Sequence, residues 1–457
     1  MALPSDMGHT DVVVLGAGIS GLLAARDLAA SGAEVLVLEA KDRVGGRTFN
    51  QPLPGGHMVE GGGEWMYPYH HKLAALADEL GVKTFPQYDT GDRVSLFQGT
   101  RTRHQNGYSG LSPEAQRSFE AVARELEQLS ASIDVSAPWD APDAATIDTQ
   151  TFAGWLSSRV DDPLVRHLLD VSFGLQFGAP LQRVSLLFAL FYVASFGGSM
   201  ANVLPTERFR FYGGSQLLSL RLAEGLGDRV KLNTPVREIH QVDGDRVEIL
   251  TDGKQITAER CIVALSPSDC RGITFAPLLP SRRRTLQDSW QAGPQIKAHA
   301  VYREAFWRTD GLSGFGRSDL ASASVVFDNS PPDGSEAVLI SLFQPTPGPS
   351  ADGLSDAQAD SAEARKAGVL DAFAQLFGEQ AREPEVFFEQ NWQDVPYTNG
   401  CQPFYPPGLL TTTRDAIRAP HGRIHWSSTE CAMRCIGWME GAIDSAQRVV
   451  GEVEDAR

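Results

Sequence analysis

Three glycines near the N-terminus have the spacing of a turn that binds a dinucleotide. Gly16, Gly18 and Gly21 form the pattern Gly-x-Gly-x-x-Gly between a short apolar run at 11–15 and a segment of helical spacing at 19–30. The first glycine permits a tight turn, the second lets the backbone approach a pyrophosphate, and the third lets helix and strand pack closely. The start of the helix offers N–H groups and the positive end of its dipole to the phosphates. The pattern predicts a dinucleotide site, against the alternative of a glycine turn without a ligand.

An acidic residue at the end of the next apolar run supports this prediction. Glu39 follows the run at 35–38 and comes 18 residues after Gly21. A carboxylate in this place accepts hydrogen bonds from ribose hydroxyls and argues against a ribose 2′-phosphate. Strand, glycine turn, helix and strand within about 30 residues form a βαβ unit. A parallel sheet and its first helix must therefore position the site.

The residues that follow Glu39 narrow the dinucleotide to FAD. The segment from Glu39 to Arg47 reads Glu-x-x-x-Arg-x-Gly-Gly-Arg, with Arg43 as its first arginine. It resembles the FAD-binding extension of the flavin amine oxidase superfamily. Both arginines can pair with phosphate oxygens through charge-assisted hydrogen bonds. The alternative is that they are solvated surface residues.

The resemblance to this family continues through nearly the whole chain. Its further motifs lie at 60–65, 211–215, 230–238, 295–298, 302–308, 392–401, 406–408, 422–430 and 437–442. Within the superfamily the sequence resembles the monoamine oxidases, and among them the bacterial enzymes of the cyclohexylamine oxidase type. One departure is Ser427-Ser428, which stands where the family commonly has Ala-Gly before Thr-Glu.

The resemblance implies an α/β (α+β) fold of the monoamine-oxidase type, with two interleaved domains. A Rossmann-like FAD-binding domain would consist of residues 1–90, 205–290 and 390–457, and a substrate domain of mixed sheet and helices would consist of residues 91–204 and 291–389. Each domain is therefore expected to be discontinuous in the sequence.

Apolar periodicity predicts the elements around these motifs. Helices are expected at 19–30, 71–80, 114–129, 151–169, 184–196, 354–376 and 438–453, and strands at 11–15, 35–38, 209–212, 247–250, 261–265, 296–302, 324–327, 338–343 and 386–392. The segment 134–148, rich in Pro, Ala and Asp, is expected to be a linker.

The implied activity is that of an FAD-dependent amine oxidase. A hydride equivalent would pass from the α-carbon of a small, largely apolar primary or secondary amine to flavin N5, and the isoalloxazine supplies the difficult chemistry. The amine would become an imine and then a carbonyl compound, while O2 would be reduced to H2O2.

Three other functions remain open at this point. An L-amino-acid oxidase would need an arginine to bind the substrate carboxylate, and the segment after Gly62-Gly63 offers Glu64-Trp65 and no arginine. An FAD-dependent dehydrogenase or desaturase would pass electrons to an acceptor other than O2. A non-catalytic FAD-binding protein is kept open by Ser427-Ser428 and Gln402.

The resemblance assigns three catalytic positions. Lys297 corresponds to the family lysine that holds a water near flavin N5, although a surface lysine on a strand is the alternative. Trp438 fills one position of the pair of aromatic side chains between which the amine passes. Gln402 stands at the other position, unless Phe404 or Tyr405 supplies that surface through a shift in register.

Further positions are assigned to the cofactor and to the substrate. The expected FAD contacts are Gly16, Gly18, Ile19, Ser20, Gly21, Glu39, Ala40, Lys41, Arg43, Gly46, Arg47, Gly62, Gly63, Glu64, Trp65, Val236, Trp392, Cys401, Thr429, Glu430, Gly437, Trp438 and Met439. The expected substrate pocket consists of Leu175, Gln176, Phe177, Tyr192, Val203, Leu204 and Phe327. The N–H of Met439 would face flavin O2 at the start of the last helix.

The linkage of the flavin depends on Cys401. The segment 397–401 resembles the family segment whose cysteine forms a thioether to the flavin 8α-methyl group. Cys401 lies one residue closer to 406–408 than in mammalian-type monoamine oxidases, and this shorter spacing is typical of the branch that holds FAD noncovalently. Covalent FAD and an unmodified buried thiol are both open.

Composition excludes several other classes of protein. Among the 457 residues, 57 Asp and Glu against 40 Lys and Arg give a net charge of −17, which disfavours nucleic acid and anionic membranes as partners. Five cysteines are too few and odd in number for a secreted disulfide framework. The longest apolar stretch, 184–196, is shorter than the roughly 20 residues that span a bilayer.

The expected partners follow from these observations. We expect a cytoplasmic protein that binds a small amine and O2, with no metal site in its residue spacings. A homodimer is compatible with the sequence.

Overall fold

The computed structural model describes residues 5–105, 111–205, 207–242, 244–344 and 361–456. The strands are β1 (Ser5–Leu15), β2 (Val35–Leu38), β3 (Asn50–Pro52), β4 (Met58–Glu60), β5 (Thr84–Pro86), β6 (Asp92–Phe97), β7 (Thr100–His104), β8 (Phe209–Phe211), β9 (Val230–Lys231), β10 (Val236–Val242), β11 (Arg246–Thr251), β12 (Lys254–Val263), β13 (Thr274–Ala276), β14 (Gln291–Ala292), β15 (Ile296–Tyr302), β16 (Leu312–Ser318), β17 (Val325–Asp328), β18 (Ala337–Phe343), β19 (Val386–Asn391), β20 (Pro403–Phe404) and β21 (Ile424–Trp426). The helices are α1 (Ile19–Ala30), α2 (His71–Glu79), α3 (Pro113–Ser130), α4 (Ala144–Asp148), α5 (Phe152–Ser157), α6 (Pro163–Phe177), α7 (Leu186–Ser195), α8 (Met200–Val203), α9 (Gln216–Leu226), α10 (Ser281–Ser289), α11 (Phe306–Thr309), α12 (Ala362–Phe377), α13 (Leu409–Thr413) and α14 (Met439–Asp455).

A mixed sheet carries the glycine turn at its centre. Its order is β13-β10-β11-β12-β1-β2-β9, and β21 also pairs with β12. β1 runs parallel to β2 with Val12 opposite Val35 and Leu15 opposite Leu38. The valines of β1 are fully buried on both faces, as expected for a central parallel strand. Helices α1 and α14 pack against each other beside this sheet.

A second mixed sheet holds Lys297. Its order is β19-β15-β18-β17-β16-β6-β7. In β15, Lys297 pairs with Leu342 on one side and Gln390 on the other. Every residue of β15 is buried, so its lysine side chain must find polar partners inside the protein.

The helices from α3 to α8, which lie between β7 and β8 in the chain, pack around α7. This helix is apolar on all sides, and all but one of its ten residues are buried. A helix with this pattern belongs in a core, and α3 packs against α7 and α6. No helix among the described residues combines the length and apolar character needed to cross a membrane.

The predicted α/β fold with mixed sheets is confirmed, and several elements have the predicted bounds. The helix at 19–30 and the strands at 35–38 and 296–302 agree residue for residue. The bounds of the two interleaved domains remain a prediction.

Two predictions about the helical region are wrong. The single helix at 151–169 is two helices, because Asp162 accepts hydrogen bonds from the N–H groups of Leu164 and Val165 and Pro163 follows as the first residue of α6. The linker at 134–148 ends in helix α4, whose buried Asp148 accepts hydrogen bonds from Ser185 Oγ and Thr411 N.

The sequence patterns also missed strands of the second sheet, and one predicted helix begins outside the described residues. β6, β7 and β16 carry glycines or charged residues that hide an alternating pattern. α12 begins at Ala362, and residues 354–360 of the helix predicted at 354–376 lie outside the described residues.

Candidate active site

The glycine turn has the geometry that its spacing predicts. Gly16 has φ +98°, and a Cβ there would lie 2.9 Å from the Ala264 carbonyl oxygen. A Cβ on Gly21 would lie 2.1 Å from the Gly16 carbonyl oxygen. Gly16 is thus required for the backbone conformation, whereas Gly21 is required for the close packing of α1 on the turn.

Two other glycines leave room for a ligand. Gly18 and Gly63 line one large cavity, and a Cβ on either would meet no protein atom within 4 Å. Such a Cβ would occupy cavity space, so the backbone at both places is exposed to whatever fills the cavity. This arrangement fits FAD, whose pyrophosphate needs close backbone approach at a glycine turn.

The Glu39 carboxylate is held firmly at the end of β2. It accepts a 2.7 Å hydrogen bond from Ala17 N and a 3.0 Å hydrogen bond from Lys41 N. Glu39 also lines the cavity, in the place expected for an acceptor of ribose hydroxyls.

The two arginines of the FAD-binding motif have different surroundings. Arg47 lines the cavity and forms two hydrogen bonds to Glu430, of 2.7 and 3.0 Å, and one to the Cys401 carbonyl oxygen. Burial disfavours its charge, but Glu430 outweighs this effect and raises the pKa of Arg47. Arg43 instead donates to three backbone carbonyl oxygens of its own loop and stacks on Phe49, away from the cavity lining.

Lys297 is held by acceptors from one segment of the chain. Its Nζ lies 2.7 Å from the Glu60 carbonyl oxygen, 3.1 Å from the Gly62 carbonyl oxygen and 3.0 Å from Glu64 Oε2. Burial lowers the pKa of Lys297, and the Glu64 carboxylate opposes this shift. The ammonium therefore faces the cavity from a fixed position.

Sequence analysis missed the wider charge network around Glu64. Arg210 donates to Glu60 Oε2 at 2.9 Å, and its Nε lies 3.7 Å from Glu64 Oε2. Asn329 Nδ2 donates to both oxygens of Glu64. These partners lie far apart in the sequence, so spacing gave no signal for them.

Trp438 lines the cavity, and residues on its far side hold its indole ring in place. Its Nε1 donates to the Tyr192 hydroxyl at 2.8 Å, and that hydroxyl lies 2.9 Å from Gln176 Oε1. Its ring also packs against Tyr67, with centroids 4.8 Å apart. The indole is therefore fixed in orientation.

Gln402 lines the same cavity. Its side chain is confined by Gly178, where a Cβ would lie 3.1 Å from Gln402 Cβ. Its buried Oε1 accepts no hydrogen bond from the described residues. An oxygen in this state can accept an N–H from a bound amine.

The structure brings most of the predicted site residues into the lining of this cavity. They are Gly16, Gly18, Ile19, Ser20, Glu39, Ala40, Lys41, Gly46, Arg47, Gly62, Gly63, Glu64, Trp65, Val236, Trp392, Cys401, Thr429, Gly437, Trp438, Met439, Lys297, Gln402, Leu175, Gln176, Leu204 and Phe327.

Six predicted residues are not part of the described lining. They are Gly21, Arg43, Glu430, Phe177, Tyr192 and Val203. Phe177, Tyr192 and Val203 are buried behind the wall, because α6, α7 and α8 respectively turn these side chains into the core. Glu430 lies behind Arg47, and Gly21 is buried under the turn.

The cavity also contains residues that sequence analysis did not select. Tyr67, Arg208, Asp269, Phe315 and Arg317 are examples. None belongs to a motif, and they come from separate parts of the chain that only the fold brings together at the cavity.

Known proteins resemble the chain over almost its whole length. A family model described as "Flavin containing amine oxidoreductase" matches residues 19–453. "Probable flavin-containing monoamine oxidase A" of Dictyostelium discoideum is 35% identical, with 97% of each chain covered.

Two solved structures share the fold and the size of the chain. Wild-type putrescine oxidase bound to putrescine has a TM-score of 0.90 at 33% identity, covering 99% of this chain and 100% of that chain. Cyclohexylamine oxidase from Brevibacterium oxydans has a TM-score of 0.89 at 30% identity, covering 98% and 99%.

Proposed function

Because the chain belongs to the flavin-containing amine oxidoreductase family and is an FAD-dependent amine oxidase, we propose that it oxidises a small, largely apolar primary or secondary amine and reduces O2 to H2O2. FAD bound in the cavity would take a hydride equivalent at N5 from the α-carbon of the amine, which leaves as an imine and hydrolyses to a carbonyl compound.

The observation that carries this proposal is one continuous cavity with two kinds of lining. Glycine backbone, Glu39 and Arg47 line one part, and Trp438 and Gln402 line the other. The first kind suits a dinucleotide and the second suits an amine beside an aromatic wall.

The protein's own groups bind and orient the substrate. An amine must be neutral at nitrogen to release a hydride, so the Gln402 amide oxygen can receive an N–H while Trp438 positions the alkyl chain. Leu175, Leu204 and Phe327 line the cavity and exclude water from it. The Lys297 ammonium lies next to this space and already has three acceptors. To bind a water molecule, it must first give up its contact with one of them.

The test is anaerobic mixing of the holoenzyme with cyclohexylamine, benzylamine, putrescine and L-amino acids while flavin absorbance is followed. Loss of the oxidised flavin spectrum with an amine is the expected result. If no amine reduces the flavin, the proposal fails.

A second measurement separates an oxidase from a dehydrogenase. Admitting air to the reduced enzyme should restore the oxidised spectrum and release one H2O2 per amine consumed. Reoxidation by an artificial acceptor but not by O2 would favour the dehydrogenase alternative.

We also propose a homodimer and a cytoplasmic location. Light scattering after size exclusion, with the holoprotein, tests the dimer, because a monomer mass would contradict it. Fractionation of the source cells tests the location.

A further inference from the structure

An arginine that no motif selects lies in the substrate part of the cavity. Arg208 precedes β8 and lines the cavity. Its guanidinium lies 4.9 Å from the centroid of the Phe327 ring. It is also close enough to the Tyr67 hydroxyl to oppose the rise that burial causes in the pKa of Tyr67. Among the described residues, no ion pair joins Arg208 to a carboxylate, whereas Arg210 is paired with Glu60 and Glu64.

Aromatic rings connect this guanidinium to the places where the amine is expected to react. The Phe327 ring packs against Trp65, with centroids 5.1 Å apart, and Trp65 lies 5.2 Å from Lys297 Nζ. On the other side, Tyr67 packs against Trp438. A single aromatic ring therefore separates Arg208 from Trp65 on one side and from Trp438 on the other.

Arg208 is a cation among aromatic rings in this part of the cavity. Phe315 lines it as well and packs against Phe327, with ring centroids 5.4 Å apart. Three carboxylates belong to the described lining: Glu39, Glu64 and Asp269. Glu64 binds Lys297 and Asn329, Glu39 binds the glycine turn, and Asp269 binds Asn399.

A simple amine or a diamine leaves the Arg208 guanidinium without an anionic partner. An alkylamine is a cation in neutral solution, and a second cation in a partly buried wall opposes its entry. A diamine would need a carboxylate at the far end of the cavity, and the described lining there presents arginine instead. An anionic group on the substrate would remove the conflict.

We propose that the substrate is an amine that carries a carboxylate several carbons from its amino group, and that Arg208 binds this carboxylate. A guanidinium binds a carboxylate through two parallel hydrogen bonds. The alkyl segment between the two groups would lie against the Phe327 and Trp65 rings. The surroundings of the reacting carbon would therefore be apolar. This inference rests on the proposed amine oxidation and specifies its substrate class.

The test compares four compounds with the same five-carbon skeleton. They are 5-aminopentanoate, pentylamine, pentane-1,5-diamine and 2-aminopentanoate, each mixed anaerobically with the holoenzyme. The half-saturating concentration for flavin reduction should be about 10- to 100-fold lower for 5-aminopentanoate than for pentylamine, as expected for one charge-assisted pair.

The outcomes separate this inference from the proposed function. If pentylamine and the diamine reduce the flavin as effectively as 5-aminopentanoate, amine oxidation stands and this inference is overturned. A preference for 2-aminopentanoate overturns the placement of the carboxylate. If none of the four reduces the flavin, and the amines of the broader test fail too, the proposed function fails with it.

Variants assign the effect to Arg208. Arg208→Met should abolish the preference for 5-aminopentanoate while pentylamine binds no more weakly, because a cation has been removed. Arg208→Lys should restore part of the preference, since it keeps the charge but not the paired hydrogen bonds. Arg303→Met, a change at an exposed arginine paired with Glu385, is the matched control and should keep the preference.

An equal loss for both compounds in Arg208→Met would overturn the role of Arg208. Should that variant fail to bind FAD, the Arg208→Lys variant and the wild-type comparison of the four compounds still decide the matter.

Discussion

The ammonium of Lys297 is stabilised by neighbours that lie beside it only in the folded chain. Glu64 forms the ion pair with it, Asn329 donates to both oxygens of the Glu64 carboxylate, and Arg210 lies nearby as a second cation. All of these groups are buried. In such a network each charge depends on the others, because an unpaired buried ion is far more costly than a paired one.

Lys297→Met should lower the free energy of unfolding by about 3–5 kcal/mol, since it leaves Glu64 buried without its cation. Urea unfolding of the holoprotein measures this. The matched control is the double variant Lys297→Met with Glu64→Gln, which removes both charges and should recover much of the loss. Equal stability of the single variant and the wild type would contradict the coupling.

Lys41 gives the expected FAD affinity a pH dependence. Burial, together with Arg43, lowers the pKa of Lys41 to about 8 in the free site. A phosphate nearby would favour the charged form and raise this pKa, so FAD binding takes up a proton above about pH 8. Affinity should therefore weaken as pH rises from about 8 to 10, whereas at pH 6 Lys41 is charged in both states and adds no pH dependence.

Titration of the apoprotein with FAD at each pH checks this prediction. Lys41→Met should remove the dependence of FAD affinity on pH between 8 and 10. If the variant shows the same dependence as the wild type, another group causes it.

Cys401 is expected to stay unmodified. The thiolate is the reactive form of cysteine, and burial raises the pKa of the Cys401 thiol although Arg47 opposes the shift. Acid precipitation of the holoprotein should leave the yellow colour in the supernatant, for the wild type and for Cys401→Ala alike. A yellow pellet that the variant loses would instead establish a covalent bond.

At the scale of elements, the turn between β1 and α1 uses its glycines for two separate purposes. Gly21 lets α1 pack on the turn, whereas Gly18 leaves the cavity open. Gly18 has φ −78°, a conformation that any residue can adopt. Substitution there changes the space for a ligand without straining the backbone.

Gly18→Ala should weaken FAD binding by roughly one to two orders of magnitude, because a methyl group in a packed contact costs about 1–3 kcal/mol, while the apoprotein keeps its stability. Gly21→Ala should destabilise the apoprotein itself. Gly225→Ala, on helix α9 with no atom within 4 Å of its Cβ, is the control and should stabilise by about 0.5–1 kcal/mol. Thermal unfolding measures the stability of each apoprotein, and titration measures its affinity for FAD. Equal losses of stability in the Gly18 and Gly21 variants would show that the two glycines do not have separate roles.

At the scale of the whole molecule, remote parts of the chain converge on the cavity. Gly16 comes from the first sheet, Lys297 from the second and Met439 from the start of α14. A ligand that fills this cavity is in contact with all three. The net charge of −17 belongs to the chain as a whole, whereas Arg208 places a cation in the cavity wall.

Removal of FAD should therefore lower the melting temperature. A ligand present at 1,000 times its dissociation constant adds about 4 kcal/mol of stability to the form that binds it, so the apoprotein should melt several degrees below the holoprotein. Calorimetry at increasing FAD concentration checks this. A melting temperature independent of FAD would contradict binding in the folded state.

The sequence by itself determined what depends on near neighbours. The pattern Gly16, Gly18 and Gly21 predicted the turn because φ angles and close packing act within a few residues. The bounds of α1, β2 and β15 followed from continuous apolar runs and helix formers. The same local rules missed the break at Asp162-Pro163 because that cap lies inside an otherwise helical pattern.

Only the tertiary structure decided which distant side chains share the cavity. Arg208 and Arg317 belong to no motif, and strand pairing in the second sheet places β16 and β17 next to each other. Tertiary contacts also separate Arg47, which lines the cavity and binds Glu430, from Arg43, which donates to its own loop. Electrostatic interactions act through space between residues that are remote in the chain, so the charge of the substrate site is a property of the fold.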